Sequence, residues 1–168
     1  MKLTEAKKQF IHSWGVLGSQ WGINRTMAQV HALLLVSNKA LSTDDIMDEL
    51  SISRGNANMN IRDLLEWNLV EKVIIAGDRK EYFAAEKDIW KAATRILHQR
   101  KKRELDPMIK TLNQVSVIDG DKKDPEIKVF TETIGSIKKF ASQADKTLEI
   151  FVKAEESWFW GNFIKLLK

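Results

Sequence analysis

The sequence predicts a mainly α-helical fold of the α+β class, and three neighbouring patterns between Leu41 and Ala85 lead to that prediction. The first is a short helix that begins at a capping sequence, and the second is a tight turn that leads into a more polar helix. The third is a β-hairpin whose tip reads Gly77-Asp78-Arg79-Lys80. Elements in this order form a winged helix-turn-helix, which can place one helix in a DNA groove and a basic hairpin tip beside it.

The first helix is predicted from a capping box, since Ser42 and Asp45 lie three residues apart just before an apolar run. Ser51-Ile52-Ser53 then makes a short turn. In this turn Ile52 is expected to fill the space between the two helices, and Ser53 is expected to cap the second one.

The second helix is predicted to have one apolar and one polar side. Ala57, Ile61, Leu64 and Leu65 recur at helical spacing and define the buried side. The opposite side, expected to be exposed, carries Gly55, Asn56, Met59, Arg62 and Glu66, with Asn58 and Asn60 on its flanks.

The residue types on this polar side suit a nucleic-acid partner. The three asparagines offer both hydrogen-bond donors and acceptors, as base edges require, and Arg62 can reach a guanine edge or a phosphate. Arg54 and the free amides of the helix N-terminus favour an anion, and Gly55 removes a side chain where the backbone would approach closely. Because three asparagines weaken a helix, we interpret them as functional choices.

The hairpin is predicted from two runs rich in β-branched and aromatic residues, Val70 to Ile75 and Lys80 to Ala84, joined by a turn at Gly77-Asp78. Arg79 and Lys80 would project from its tip towards a phosphate or a narrow minor groove. A solvated loop on an ordinary α+β domain is the alternative, but the helix-turn-helix and the basic wing together favour DNA.

These residues also carry a resemblance to a known family. The run from Ser53 to Trp67, followed by Leu69-Val70 and the tip Gly77-Asp78-Arg79-Lys80, resembles the GbsR branch of the MarR-type winged-helix regulators. Trp14-Gly15 and Asp106-Pro107 are similar to that branch too. The resemblance covers about residues 10 to 112 and fades beyond them.

The resemblance implies a homodimeric transcriptional regulator, often a repressor, whose affinity for double-stranded DNA is tuned by a small-molecule effector. Some members sense choline and control glycine betaine uptake or synthesis, which makes osmoprotectant or transport genes candidate targets and a quaternary ammonium compound a candidate effector. No motif anchors an effector pocket. The positions that match the recognition-helix and wing motifs, and that the resemblance assigns to DNA binding, are Ser53, Arg54, Gly55, Asn56, Asn58, Met59, Arg62, Arg79 and Lys80.

The composition fits this interpretation without proving it. The 168 residues include 27 Lys and Arg against 23 Asp and Glu, so the net charge is +4, which is compatible with nucleic acid but not diagnostic. The absence of cysteine excludes disulfides and thiolate metal sites. Three dispersed histidines and no Gly-rich phosphate loop lead us to expect no catalytic, metal or cofactor site, and therefore no enzyme.

We expect a cytoplasmic protein with no membrane partner. No signal-peptide pattern is found, and no apolar run approaches the ~20 residues of a membrane span. The amphipathic tail from Trp158 to Leu167 is expected to pack on the helical bundle instead of lying on a membrane, because it is short and carries little positive charge.

Three regions are predicted: an N-terminal helix for dimerisation at residues 1–24, the winged helix-turn-helix at 25–87, and a C-terminal helical region for dimerisation, and possible effector binding, at 88–168. After a break at Asp119 to Pro125, apolar residues recur at steps of three and four from Ile127 to Phe151, which is typical of a packed helical seam. The seam can be intramolecular. A dimer is nevertheless favoured, because one winged domain contacts too little DNA for tight specific binding.

Several features leave alternatives open. The cationic stretch from His98 to Arg103 either touches phosphates or forms a solvated linker helix, which we favour. Pro107 is expected to kink or restart that helix, with Asp106 as a possible cap. His31 is expected to be a structural histidine and not a ligand.

The tryptophans also have two interpretations. Trp14, Trp21, Trp90, Trp158 and Trp160 either pack in the core, which is the simpler view, or form an aromatic cage for a quaternary ammonium ligand. For the whole protein, the main alternative is a winged-helix protein–protein interaction module without DNA binding. The asparagine-rich helix face and the basic wing argue against that alternative.

Overall fold

A computed structural model describes residues 1–121 and 123–154 of the chain. The helices are α1 (Leu3–Gln20), α2 (Arg25–Val36), α3 (Thr43–Leu50), α4 (Arg54–Glu66), α5 (Ile89–Arg100), α6 (Asp106–Val115) and α7 (Pro125–Ala154), and a π-helical segment (Lys101–Leu105) joins α5 to α6. The strands are β1 (Leu41–Ser42), β2 (Val70–Val73) and β3 (Tyr82–Ala85). The mainly helical winged fold is therefore confirmed. The predicted tail from Trp158 onward lies outside the described residues.

The chain divides into two compact units, one from Met1 to Ala92 and one from Ala93 onward. The first unit contains the winged domain together with α1. Its sheet is antiparallel, in the order β1-β3-β2, with Leu41 opposite Phe83 and Val70 opposite Ala85. All four of these side chains are buried, so the sheet contributes one apolar face to the core of this unit.

Helix α2 forms the centre of the first unit. Its side chains at Val30 and Leu34 are almost completely inaccessible to solvent, and α1, α3, α4 and β3 all contact it. A helix that is apolar on most of its circumference is stable only when other elements surround it. Each surrounding element therefore packs its own apolar side towards α2.

Two buried glycines of α1 permit a close approach of that helix to α2. Gly15 and Gly18 are buried, and a Cβ atom added at Gly18 would lie 2.6 Å from the Cβ of Ala28. Because neither atom belongs to a flexible side chain, the two helices can pack at this separation only with glycine at position 18.

Lys87, just after β3, caps the C-terminal end of α2. Its Nζ donates hydrogen bonds to the carbonyl oxygens of Leu34, Leu35 and Ser37 at 2.7, 2.8 and 2.9 Å. The last carbonyls of a helix have no partner within the helix, and a cation is favoured at this end by the helix dipole. Lys87 thereby links the end of the hairpin to the central helix.

In the second unit the backbone stays helical from α5 through Pro107. The prediction of Asp106 as a helix cap is wrong, because Leu105 and Asp106 both have helical dihedral angles. The Asp106 carboxylate accepts a hydrogen bond from Lys101 instead, at 2.8 Å, and Lys101 also pairs with Asp145 of α7 at 2.8 Å. Residues Lys101–Leu105 form a wider π-helical turn, and the helical backbone continues through this turn to Pro107 without a break.

The apolar seam of α7 is only partly covered within the described residues. Ala141 is buried, whereas Phe130 and Ile137 are exposed. No helix in the described part of the chain is long and apolar enough to cross a membrane.

His31 lies in the core of the first unit, as expected of a structural histidine. Its ring centroid is 6.4 Å from that of Trp14, and its Nε2 has no hydrogen-bond partner among the described residues. Burial, assisted by the positive charge of Lys87, lowers the pKa of His31 to about 4. The side chain is therefore neutral at neutral pH.

We predict that acid destabilises the protein through His31. The unfolded chain protonates this residue near its ordinary pKa of 6.5, but the folded chain protonates it only near 4. The free energy of unfolding should therefore fall by about 2 to 3 kcal/mol between pH 7 and pH 4.5 on account of this group. Urea unfolding at both pH values is the measurement, with His31→Leu as the control. The same pH dependence in that variant would contradict the assignment.

Candidate nucleic-acid interface

The two short helices and their turn form by local capping. The Ser42 hydroxyl accepts from the Asp45 amide at 3.2 Å, while the Asp45 carboxylate accepts from the Ser42 amide at 2.8 Å. Ser51 ends α3 in the left-handed conformation, and Ser53 caps α4 by accepting from the Asn56 amide at 3.3 Å. The predicted capping box, turn and second cap are thus confirmed.

Helix α4 presents one side to α2 and the opposite side to solvent. Ala57, Ile61 and Leu64 are buried, as their spacing predicts, while Met59 is 51% exposed. Of the sequence-predicted site residues, those exposed on α4 and its cap are Ser53, Arg54, Gly55, Asn58, Met59 and Arg62, and those exposed on the hairpin tip are Arg79 and Lys80.

Asn60 corrects the predicted polar side. It is completely buried, and its Nδ2 donates to the backbone oxygen and to the Oδ1 of Asn56, both at 2.7 Å. Position 60 lies three residues after Ala57 and one before Ile61, so it falls within the stripe that faces the core. Asn60 is therefore a structural residue and does not offer its amide to a base edge.

The same bond determines how Asn56 is presented. Asn56 is half-buried, and its Oδ1 accepts one hydrogen bond from the Asn60 amide, while its own Nδ2 group is available as a donor. Asn58 is exposed, and its Oδ1 accepts from the Thr43 hydroxyl at 3.5 Å. The two asparagines thus differ in exposure and in partner, a difference that their spacing alone did not reveal.

The wing, residues 74–81, is a turn closed by its own polar groups. The Asp78 amide donates to the Ile75 oxygen at 3.1 Å, and Gly77 has a positive φ of 84°. The Asp78 carboxylate accepts from the Lys80 amide at 2.9 Å and from the Tyr82 hydroxyl at 2.7 Å, and these two bonds lower the pKa of Asp78. The predicted hairpin is confirmed with shorter strands, since β2 ends at Val73 and Ile74 is 94% exposed.

The cations of this surface differ in whether a carboxylate faces them. Asp44, in the first turn of α3, binds the Arg54 guanidinium through Oδ1 and lies 3.3 Å from Lys80 Nζ through Oδ2. The hydrogen bonds from Lys80 and then Arg54 hold the pKa of Asp44 below its usual range. The side chains of Arg62 and Arg79 have no ion-pair partner within the described residues.

Asp44 is the residue that sequence reasoning missed. The sequence signal that could have indicated Asp44 is its position in the first turn of a helix, where the helix dipole stabilises a negative charge. That signal explains a carboxylate at this position, but it does not reveal that two cations from later elements converge on it.

The tryptophans of the first unit differ in environment. Trp14 packs against Phe10, with ring centroids 5.4 Å apart, whereas Trp21 and Trp90 are 58% and 65% exposed. Trp158 and Trp160 lie outside the described residues, so an aromatic cage stays a prediction. Among the residues that the structure describes, no group of His, Cys, Asp or Glu is arranged to hold a metal ion.

The fold is that of the winged helix-turn-helix class, an architecture that many DNA-binding proteins use. Residues 21–81 match the MarR family. The HTH-type transcriptional repressor GbsR of Bacillus subtilis (strain 168) is 22% identical over 140 residues, which is 77% of this chain and 77% of that protein. These similarities agree with the resemblance and support a DNA-binding transcriptional regulator that is similar to the MarR family and to GbsR.

A solved structure shares the fold. A crystal structure of a transcriptional regulator superposes with a TM-score of 0.63 at 15% identity, over 90% of this chain and 99% of that one. An S. aureus MepR mutant bound to an oligodeoxyribonucleotide gives a TM-score of 0.41 at 18% identity, over 80% of this chain and 92% of that one.

We predict that the two neighbouring asparagines of α4 respond differently to the same change. Asn60→Asp should lower the free energy of unfolding by about 3 kcal/mol or more, because it buries a charge and removes both donors to Asn56. Asn58→Asp introduces the same charge at an exposed position and should change it by about 0.5 kcal/mol at most. Urea unfolding of both variants is the measurement, and equal effects would contradict the burial of Asn60.

Proposed function

We propose that this regulator is a homodimeric, sequence-specific repressor that inserts the solvent-facing side of α4 into the major groove and sets the wing on the flanking backbone or minor groove. The supporting observation is that α4 is packed through one side only. The same packing leaves Asn58, Met59 and Arg62 exposed, and the start of α4 meets the basic wing where Arg54 and Lys80 share Asp44. A recognition helix needs this combination of a buried side and a free polar side.

Each exposed group on α4 suits a different feature of a base edge. Arg62 has no competing carboxylate among the described residues and can donate twice to a guanine. Asn56 offers its amide nitrogen as a donor, and the bond from Asn60 holds its side chain in place. Met59 is apolar and can contact a thymine methyl group. Arg54 and Ser53, at the start of the helix, are suited to phosphate contacts.

The wing supplies contacts that do not depend on sequence. Arg79 is exposed and has no ion pair within the described residues, so its charge is available to a phosphate. Lys72, lower on the hairpin, is paired with Glu81 at 2.6 Å. We therefore assign the main wing contact to Arg79.

A homodimer explains how a small winged domain gains enough contact with DNA. Two copies place two α4 helices on half-sites of one operator, which raises both affinity and specificity. Support comes from α7, where Val129, Phe140 and Ile150 are exposed and apolar on a helix of 30 residues. A second copy of the chain is a partner that would cover such residues.

The proposed repressor responds to a small molecule. An effector that binds the two forms of the dimer differently would favour one spacing of the recognition helices. From the resemblance to the GbsR branch, we infer that the effector is a quaternary ammonium compound and that the target genes serve osmoprotectant metabolism or transport. We infer that the regulator acts in the cytoplasm. Exposed Trp21 and Trp90 are aromatic groups of the kind that bind such cations.

We predict that Arg79→Ala weakens binding to every duplex and flattens its salt dependence. Duplexes are first selected from genomic fragments with the wild-type protein, and dissociation constants are then measured over a series of salt concentrations. Loss of one phosphate contact should reduce the slope of log K against log [salt] by about 0.9. An unchanged slope would remove the wing from the DNA contact.

Arg62→Ala is the matched variant, since it removes one exposed arginine and one charge from the same surface. We predict that its main effect is on sequence preference. The ratio of affinities for the selected and a scrambled duplex should fall by about tenfold or more, which is the order expected for a lost bidentate base contact. Asn56→Ala should act in the same direction. Equal losses on both duplexes would reassign these residues to the backbone.

A further inference from the structure

We propose that Asp44 occupies the place of a DNA phosphate in the unbound protein, and that Arg54 and Lys80 exchange its carboxylate for that phosphate on binding. The proposal rests on the proposed function, in that it requires α4 and the wing to contact duplex DNA. It adds a negatively charged residue to a surface whose predicted DNA-binding residues include no carboxylate.

The geometry carries the inference. Arg54 is the first residue of α4 and Lys80 belongs to the wing, yet both side chains reach the carboxylate of Asp44. They use different oxygens, since Arg54 Nη2 binds Oδ1 and Lys80 Nζ lies 3.3 Å from Oδ2. One cation from α4 and one from the wing, the two elements proposed to contact DNA, thus converge on the single carboxylate of Asp44.

A phosphodiester group can replace that anion. It also presents two charged oxygens, and guanidinium and ammonium groups bind phosphate and carboxylate alike. Next to Arg54, Gly55 leaves open space on this side of α4, because no atom beyond its chain neighbours and the adjacent helix backbone lies within 4 Å of the position that a Cβ atom would take there. The free amides of the first turn of α4 favour an anion in addition.

The exchange costs little in stability. The side chains of Arg54, Asp44 and Lys80 are 62%, 42% and 58% exposed, and ion pairs at such exposure contribute little to folding. The two bonds also hold the pKa of Asp44 below its usual range, so the carboxylate is charged at neutral pH and acts as an internal counterion.

A functional consequence follows for affinity. With Asp44 present, the two cations and the carboxylate carry a combined charge of one, so the site attracts any phosphate less strongly than two free cations would. Asp44 therefore lowers the affinity for all duplexes by a similar factor. It limits binding to sequences that supply good base contacts through α4.

Asp44→Asn tests the exchange, because it keeps the shape and removes the charge. It should tighten binding to selected and scrambled duplexes alike, by several-fold at low salt, and steepen the slope of log K against log [salt] by about 0.9. Glu81→Gln is the matched control. It removes one negative charge from the wing that carries Lys80, but its carboxylate pairs with Lys72 and not with Arg54 or Lys80. Equal gains in both variants would overturn the proposal by reducing it to net charge.

Further variants test whether the gain in affinity comes from releasing Arg54 and Lys80. In a Lys80→Ala background, the gain from Asp44→Asn should shrink, because one of the two released cations is absent. Asp44→Ser, which keeps an oxygen at the start of α3, should reproduce the gain, and thermal unfolding of both Asp44 variants checks that they are folded. Weaker binding by the folded variants would overturn the exchange, since the carboxylate would then hold Arg54 and Lys80 in the bound form.

The proposed function and this inference fail in different ways. If Arg62→Ala and Arg79→Ala leave DNA binding unchanged, the interface itself is wrong. If those variants weaken binding while Asp44→Asn leaves affinity and salt slope as in the wild type, only the exchange at Asp44 is wrong.

Discussion

The packing of α4 against α2 is the constraint on which the remaining structure of this surface depends. Burial of Ala57, Ile61 and Leu64 removes apolar area from water and thereby determines the rotation of α4 about its axis. Because a helix turns by a constant angle per residue, that one contact also determines which residues face outward. Met59 and Arg62 are exposed as a consequence of what α4 buries, and the proposed reading surface is formed by the same packing that stabilises the domain.

Polar contacts refine what packing leaves undecided. Burying an amide costs free energy unless it is hydrogen-bonded, and the Nδ2 of Asn60 is satisfied by donating to Asn56, while its Oδ1 has no partner among the described residues. The bond in turn holds the Asn56 side chain in place, with its nitrogen available as a donor. At the surface, Asp44 holds two cations that belong to α4 and the wing, while Arg62 and Arg79 have no ion pair among the described residues. The structure thus distinguishes two cations that share an internal carboxylate from two that have no ion pair among the described residues.

Much of the fold was predictable from the sequence because it depends on neighbouring residues. The caps at Ser42 and Ser53 and the turn at Gly77-Asp78 were correct, since each involves groups within a few residues of one another. Asp106 was wrongly expected to cap a restarted helix. The competing factor there was Lys101, whose ion pairs with Asp106 and with Asp145 of α7 belong to a continuous helical backbone.

The sequence by itself determined the order of elements, the buried stripe of α4, the basic wing and the family resemblance, because periodicity, capping and turn chemistry are local properties. Only the tertiary structure decided that Asn60 is covered while Asn58 is exposed, and that Arg54 and Lys80 share Asp44. Lys80 lies 36 positions after Asp44 and meets it only because β3 pairs with β1 beside the start of α3. Burial and ion pairing are set by distances in space, and a chain pattern does not specify which distant residues the fold brings together.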